Sequence, residues 1–436
     1  MKFFGFKGGV HPPENKIQTE NKTIENLNAP KLVYISLLQH IGSTLEPLVA
    51  VGDRVLKGQK IADISAFLSS PVHASVSGIV KQIEEYPFPL MGKVKTIVIE
   101  NDGADEWVEL EKIENWGGAT KEELLAQIRE KGIVGLGGAC FPTHIKLNPP
   151  KDVTVDTLLL NGAECEPYLN SDNRVMLEEP EKVVEGIKIM QHILGVKSAI
   201  IGIEDNKTAA IASMKKACEG TDIKVMSLKT MYPQGGEKSL IKAILNREVP
   251  CGKLPFSVGV IVDNTTTAAA IYDAVVNGIP LIEKVVTVTG KAIKEPKNLR
   301  VAIGTQISEL LNNCGYEESM VEKIVVGGPM MGAAQFTLDV PVIKGTSGLL
   351  ALTSTETNGC KPKACIGCGK CIDACPMGLQ PIMYARLGEF QQWEEMAEYN
   401  LMDCIECGSC SYICPSNRPL TEAIKIGKAK LRAMKK

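Results

Sequence analysis

Between about residues 120 and 280 the chain alternates near-continuous apolar runs with amphipathic segments. The runs are DTLLLNGA, SAIIGIE, IKVMSL and SVGVIVD; the segments are EKVVEGIKIMQHILGV, NKTAAIASMKKACEG and TTTAAAIYDAVVNG. Strands that read apolar on both faces are buried between helices, and the other segments space their apolar residues at helical period. Residues 116–280 are therefore predicted to form an α/β domain with a largely parallel sheet. Upstream, KLVYISL and HASVSGIVKQI have strand character, and turns at Val51-Gly52-Asp53 and Lys57-Gly58-Gln59 set off short strands, with Gly78 inside the last run. That pattern predicts a β module over 31–115. Residues 1–30 are polar, rich in turn formers and end in ENKTIENLNAP, which predicts an extended arm. Residues 281–350 return to β-rich sequence, KVVTVTG and EKIVVGG, around one helix, ISELLNNCGY. Residues 351–436 carry most of the cysteines, with a polar helical stretch, YARLGEFQQWEEMAEYN, among them.

Composition narrows the class without naming a function. With 436 residues, 44% hydrophobic and 23% charged, the chain is ordinary globular material with room for two to four domains. A net charge of −3 gives no electrostatic reason to expect nucleic acid. The opening MKFFGFKGGVHPPENK has no apolar core of signal-peptide length, and no run reaches the ~18 apolar residues of a membrane span. The chain is expected in the cytoplasm, touching a membrane only through partners or a surface helix. The five histidines, His11, His40, His73, His144 and His192, show no H-x-x-H or nucleophile–base pattern, so no hydrolytic site is suggested.

Fourteen cysteines are present, and nine of them lie between Cys360 and Cys414. Such clustering reads as metal rather than disulfides. Cys365, Cys368, Cys371 and Cys375 form C-x2-C-x2-C-x3-C-P, and Cys404, Cys407, Cys410 and Cys414 repeat it, ending at Pro376 and Pro415. Three thiolates in one turn-rich loop hold three irons of a cubane. The fourth ligand then comes from the other motif, the cross-ligation characteristic of two-cluster ferredoxins. One [4Fe–4S] cluster is assigned Cys365, Cys368, Cys371 and Cys414, the other Cys404, Cys407, Cys410 and Cys375. Four thiolates also suit zinc, but zinc ribbons use two separated C-x2-C knuckles rather than this run. Eight ligands complete two cubanes, which leaves Cys360 as a packing or bystander thiol.

The stretch from Pro47 to Val80 resembles the barrel-sandwich module of biotinyl and lipoyl carrier domains, except that the tip reads Ser70-Pro71-Val72-His73-Ala74 where carriers present a modifiable lysine. A structural module without a swinging cofactor is expected. Residues 281–350 resemble the β-grasp module found beside flavin domains. Gly135-Leu136-Gly137-Gly138-Ala139-Cys140-Phe141-Pro142-Thr143 is a glycine-rich loop of the kind that admits phosphate or a flavin edge, a weak signal alone. Together GLGGACFPTHIK, NGAECEPYLNSD, YPQGGEKSLI and VDNTTTAAA resemble, in order and spacing, the motifs of the flavin-bearing, NADH-oxidising subunit of respiratory complex I. With GGVHPPENK, the β module and the tandem cysteine motifs, the whole chain resembles the RnfC family, a component of the Rnf ferredoxin:NAD+ oxidoreductase complexes.

That resemblance implies a multidomain α/β architecture. It comprises a barrel-sandwich module, an FMN/NADH domain, a β-grasp module and an α-helical two-cluster ferredoxin-like domain, in the order of the segments above. It implies FMN and two [4Fe–4S] clusters as cofactors and NAD(H) as substrate. The implied partners are the other subunits of a membrane ion-translocating complex, especially a ferredoxin-like iron–sulfur subunit, with ferredoxin served indirectly at the cytoplasmic face. Carried over by position, Gly135, Gly137 and Gly138 line the FMN, Lys146 pairs with its phosphate or polar edge, and Asn161 hydrogen-bonds it. Phe141 faces the nicotinamide nucleotide, Glu164 and Glu166 meet polar groups of flavin and NADH, and Glu237 and Asn264 close the site. No catalytic side chain is required, because the flavin carries the chemistry. The chain departs from the motif at Leu136 for an arginine, Ala163 for an acid, and Cys140 and Cys165 for glycines; those two cysteines are expected near each other and as packing residues. Two rivals stand beside this reading. One is a cobalamin reductase of the propanediol-utilisation type, in which the barrel-sandwich module follows the flavin domain instead of preceding it. The other is a non-catalytic electron carrier or scaffold.

Overall fold

The computed structural model describes residues 4–90, 92–357, 359 and 361–434. Cys360 lies outside the described residues. The β module is two small antiparallel sheets. One orders strands Leu32–Ser36, Lys93–Asn101, Gly78–Pro87 and Arg54–Val55, the other Glu46–Pro47, Lys60–Asp63 and Val72–His73. Alternate residues such as Val33, Ile35, Val80, Ile97 and Ile99 point into a core shared with Ile61 and Val72. At Gly78 a Cβ would lie 1.9 Å from the Glu100 carbonyl oxygen, so the close pairing of the long hairpin requires glycine there. The tip at residues 70–74 is buried throughout, whereas a swinging prosthetic arm needs an exposed one.

The α/β domain has a fully parallel sheet in the order Ile223–Leu228, Ser198–Glu204, Thr157–Gly162, Val260–Asn264. Its first strand in sequence is thus internal, with the second and third strands on one side and the fourth on the other. Helices Pro180–Leu194 and Thr265–Val276 pack on one another so closely that a Cβ at Gly186 would come 1.8 Å from the Ala268 oxygen.

The third module is a mixed six-stranded sheet ordered Ile24–Asn26, Lys297–Ala302, Glu283–Thr289, Gly348–Leu352, Lys323–Val326, Ala333–Gln335, covered by helix Ile307–Asn313. The N-terminal arm supplies its edge strand, Ile24–Asn26, parallel to Lys297–Ala302. The arm is extended, as expected, but it is pinned along its length. Lys16, 3% exposed, donates to the carbonyls of Glu164 and Leu169, and Val10 pairs with Tyr232.

The C-terminal module is helical, with Pro381–Glu389, Trp393–Glu398 and Leu420–Met434 around Tyr384, Leu387, Met396, Leu401 and Ile424. The polar stretch between the cysteine motifs is two helices rather than one, broken where Gln391 takes a φ of 56°. Among the described residues no helix is long and apolar enough to cross a membrane.

Lys344 ties three modules together. Its Nζ donates to Pro71 O in the β module (2.7 Å) and Gly132 O in the α/β domain (2.6 Å). Burial pulls its pKa from 10.5 down to about 7. Below that value the folded state bears the full cost of a buried ammonium. Above it, up to the pKa of the unfolded chain, the unfolded state keeps a proton that the folded state has released. The contribution of this lysine to stability therefore rises with pH across that window. Denaturation midpoints of wild type and Lys344→Met at about pH 7 and about pH 9 are expected to show wild type gaining on the variant by roughly 2 kcal/mol. A constant difference would mean that Lys344 stays charged throughout.

Candidate redox centres and nucleotide crevice

The eight motif cysteines surround two separate cavities. One is lined by Cys365, Cys368, Cys371 and Cys414, the other by Cys375, Cys404, Cys407 and Cys410. Short helices explain the crossing. Gly369 and Gly408, with φ of 74° and 80°, start helices Lys370–Asp373 and Ser409–Tyr412, and each helix carries the chain away before its fourth cysteine. Backbone N–H groups of Gly367, Glu406 and Leu379 donate to the sulfurs of Cys365, Cys404 and Cys375 at 3.4, 3.3 and 3.3 Å. Burial pushes the thiols of Cys404 and Cys410 up to about 11 and about 12. A cationic metal centre reverses that preference, because a coordinating thiol gives up its proton. Four inward thiols around an enclosed volume, with N–H donors on the sulfurs, fit a cubane.

The two cavities differ in setting. Cys407 and Cys410 are buried, whereas Cys365 and Cys368 are exposed. The second cavity backs onto the α/β domain. There Tyr232, 1% exposed, donates from its hydroxyl to Cys407 O at 2.7 Å. Gly408 packs on Met330 O so tightly that a Cβ would approach to 2.6 Å. On the other flank Gly252 N donates to Asp403 Oδ1 (2.9 Å), and the Cys251 thiol meets the same carboxylate. The arm closes a third side, with Gly9 N donating to Ala374 O at 2.9 Å.

In the α/β domain, the crevice between the first and fourth strands in sequence is the point where strand order reverses, and ligands of such sheets bind outside the carboxyl ends there. Asn161 and Asn264 sit across it, in register. Asn264 caps helix Thr265–Val276 through Thr266 N and Thr267 N and donates to Asp172 Oδ2 at 2.7 Å. Asn161 donates to Gly235 O at 2.9 Å, next to the helix that begins with Glu237. The glycine-rich loop lies over this crevice. Gly135 N donates to Phe141 O, Leu136 N to Thr267 Oγ1, and a Cβ at Gly137 would stand 3.3 Å from Asn264 Cβ. Gly138 has a φ of +124° and open space beside it. Lys146 donates to Val262 O at 2.9 Å and stands 3.6 Å from Glu237. Gly135, Gly137, Gly138, Phe141, Lys146, Asn161, Glu237 and Asn264 thus surround one crevice mouth, with a bare-backbone cradle of the kind a flavin phosphate or ring edge requires.

Glu164 and Glu166 are placed differently. Glu164 accepts from Ser171 Oγ, Asp172 N and Asn173 N, capping helix Ser171–Glu178. Glu166 accepts from Met330 N (3.1 Å) and Met331 N (2.9 Å) of the β-grasp module, with Tyr232 Oη 3.5 Å away. Burial raises its pKa to about 7. Cys140 packs beside Gly345, and Cys165 lies against Gly235 and joins the cluster around Tyr232. The expected proximity of Cys140 and Cys165 is therefore not found, because the glycine-rich loop turns Cys140 down towards Lys284 and Lys344. Three residues at these sites carry no sequence signal: Asp172, Tyr232 and Lys16. Only their partners in space give them a role.

Residues 4–104 match the RnfC barrel sandwich hybrid domain, 128–273 the Nuo51 FMN-binding domain, 285–334 the SLBB domain and 364–418 the 4Fe-4S dicluster domain. The RnfC protein of the proton-translocating ferredoxin:NAD(+) oxidoreductase complex of Clostridium ljungdahlii is 52% identical over 98% of this chain and 94% of its own length. The chain belongs to the RnfC family. Its counterpart in the Na(+)-translocating ferredoxin:NAD(+) oxidoreductase complex of Acetobacterium woodii is 45% identical over 100% of this chain and 99% of its own. The Nuo51 match carries the relationship to the flavin-bearing subunit of complex I. Among solved structures, an NAD+-reducing [NiFe]-hydrogenase in the air-oxidized state shares the fold at a TM-score of 0.51 and 16% identity, over 72% of this chain and 61% of that one.

Proposed function

We propose that this chain is the electron-transfer subunit of an ion-translocating ferredoxin:NAD+ oxidoreductase complex, passing electrons between NAD(H), FMN and two [4Fe–4S] clusters. The observation that carries the reading is the packing of the second cysteine cavity directly onto a flavin-type domain, through Tyr232 and Cys407. FMN, when bound, supplies the conversion between a hydride pair and single electrons. The chain's own residues hold and orient. Gly135, Gly137 and Gly138 open the backbone, Asn161 and Asn264 fix the crevice, Lys146 supplies positive charge and Phe141 an aromatic face. Glu164 sets the start of helix Ser171–Glu178 and so positions Asp172 beside Asn264. Cys365, Cys368, Cys371 and Cys414 hold one cluster and Cys404, Cys407, Cys410 and Cys375 the other. Ion movement is assigned to partner subunits, with this chain peripheral on the cytoplasmic face of the membrane, beside a ferredoxin-like iron–sulfur subunit.

The visible spectrum of anaerobically purified protein tests the reading. Stoichiometric NADH is expected to bleach a flavin band and then the broad cluster absorption. Intact clusters without bleaching would leave a non-catalytic carrier, and NADH-dependent reduction of a corrinoid but not of ferredoxin would leave a cobalamin reductase.

Glu166→Gln probes the join between the modules. An amide cannot accept from two N–H groups through both of its polar atoms, so one of Met330 N and Met331 N faces a donor, at a cost of about 1–3 kcal/mol. NADH-dependent flavin reduction is expected to slow while dithionite still reduces both clusters. An unchanged NADH rate together with an unchanged melting temperature would remove Glu166 from any role in the site.

A further inference from the structure

The two cysteine cavities face in different directions, and that asymmetry carries an inference resting on the proposed electron-transfer role. The cavity lined by Cys404, Cys407 and Cys410 is enclosed by Tyr232, Met330, the Asp403 contacts and the N-terminal arm. Its neighbour is the α/β domain. The cavity lined by Cys365, Cys368, Cys371 and Cys414 opens outwards: Cys365 and Cys368 are exposed, and Ile366 between them is 70% exposed. Electron transfer falls steeply with distance, so a carrier outside this chain exchanges most rapidly with the outward group.

The rim of that cavity is basic. The segment KPKACIGCGKCI, residues 361–372, contains Lys361, Lys363 and Lys370 and no acidic residue. All three lysines are exposed, and Lys363 is anchored by its backbone N–H to the Ser416 carbonyl at the cavity wall (2.9 Å). Arg418, which also lines the cavity, is paired with Glu389 and so does not add to the free charge. Asp373, exposed just beyond the segment, is the nearest acid in sequence. On a chain whose net charge is −3, a local excess of three cations around an exposed redox cavity is set against the background. An apolar contact ringed by like charges matches a partner with the opposite ring, and such complementarity acts chiefly on encounter rate and register.

We propose that the face formed by Ile366, Lys361, Lys363 and Lys370 docks an acidic, one-electron iron–sulfur protein, with the cluster held by Cys365, Cys368, Cys371 and Cys414 as the exchange point. One electron crosses per encounter. The group on one side is oxidised as that on the other is reduced, and no bond forms or breaks.

The test uses the full chain with both clusters and FMN, and an acidic two-[4Fe–4S] ferredoxin as probe. Lys361→Glu/Lys363→Glu/Lys370→Glu is expected to weaken ferredoxin binding by calorimetry about tenfold or more at low salt, and to flatten its salt dependence. NADH bleaching of the flavin and the EPR signals of both clusters should be unchanged, and these report on the proposed function separately. Lys361→Gln/Lys363→Gln/Lys370→Gln is expected to show a smaller loss of the same sign, and it decides the matter if charge reversal disturbs the outward cluster. Unchanged ferredoxin affinity in the glutamine variant would overturn the proposal. So would a shifted cluster potential without loss of affinity, which would make the lysines a charge frame for the cluster alone. Wild-type binding to vesicles of anionic phospholipid, lost in the variant while ferredoxin affinity persists, would assign the face to a membrane and overturn it as well.

Discussion

Cys375→Ser is expected to eliminate the EPR signal of the cluster held with Cys404, Cys407 and Cys410, and to leave the other signal in place. Cys414→Ser should do the reverse. The expectation follows from how far one loop reaches. C-x2-C-x2-C brings three sulfurs to one cavity, and the short helix after it then carries the fourth cysteine to the neighbouring cavity. Cys375 lines the cavity of the second motif and Cys414 that of the first. Serine offers an oxygen of much lower affinity for iron, so the affected cluster should be lost or degraded, with about four fewer irons and sulfides per chain by chemical assay. Cys368→Ser identifies which signal belongs to which cavity. If Cys375→Ser and Cys368→Ser abolish the same signal, each motif ligates its own cluster. Two bound zinc ions with no acid-labile sulfide after anaerobic reconstitution would remove the clusters altogether.

The consequences of the two losses should differ. The cavity of Cys375 abuts Tyr232 and the α/β domain, so Cys375→Ser is expected to block onward electron flow while NADH still bleaches flavin. In Cys414→Ser the inner cluster should still be reduced by NADH, but transfer to an external carrier should fail. The order flavin, inner cluster, outer cluster is thereby open to measurement by freeze-quench EPR.

What could be read from the sequence depended on whether a signal was local. The parallel sheet was legible because strands buried on both faces leave unbroken apolar runs, and each of the four runs became a strand. The cysteine groupings were legible because spacing alone limits which sulfurs share a cavity. The arm was seen as extended but not as a structural element, since Ile24–Asn26 becomes a strand only by pairing with residues far along the chain. Tyr232 could not be singled out for the same reason: its partner is the carbonyl of Cys407, and a backbone oxygen has no sequence signature. Glu164 and Glu166 show a related limit. The motif marks both carboxylates, but not that one caps a helix and the other grips residues 330 and 331 of a different module. The helical stretch between the cysteine motifs was continuous in pattern, and the break at Gln391 is a backbone conformation that no periodicity records.

Lys146→Gln is expected to release FMN while sparing the fold, and the choice of glutamine matters. Lys146 stands at the carboxyl end of the sheet between Val262 O and Glu237, and its charge also offsets that of Asp263, a fully buried carboxyl whose pKa burial raises. Lys146→Ala would remove three things together: the donor to Val262 O, the compensation of Asp263 and the cation offered to the flavin. Loss of FMN in that variant could then follow from a damaged crevice. Glutamine keeps a donor for Val262 O and removes only the charge; Lys146→Arg keeps the charge and changes its shape. Lys146 is 25% exposed and Glu237 40%, so the pair between them contributes less than about 1 kcal/mol after solvent screening. A phosphate dianion held by the same ammonium at a helix-lined crevice is worth more, about 2–3 kcal/mol as a charge-assisted contact, or roughly a hundredfold in affinity. FMN titration followed by quenching of flavin fluorescence should therefore show a loss of about two orders of magnitude for Lys146→Gln, and within about tenfold of wild type for Lys146→Arg. Cluster absorption and melting temperature should stay close to wild type in both. If Lys146→Gln retains stoichiometric FMN at wild-type affinity, the lysine serves Asp263 and Glu237 alone, and the positive charge of the flavin site must come from elsewhere in the crevice.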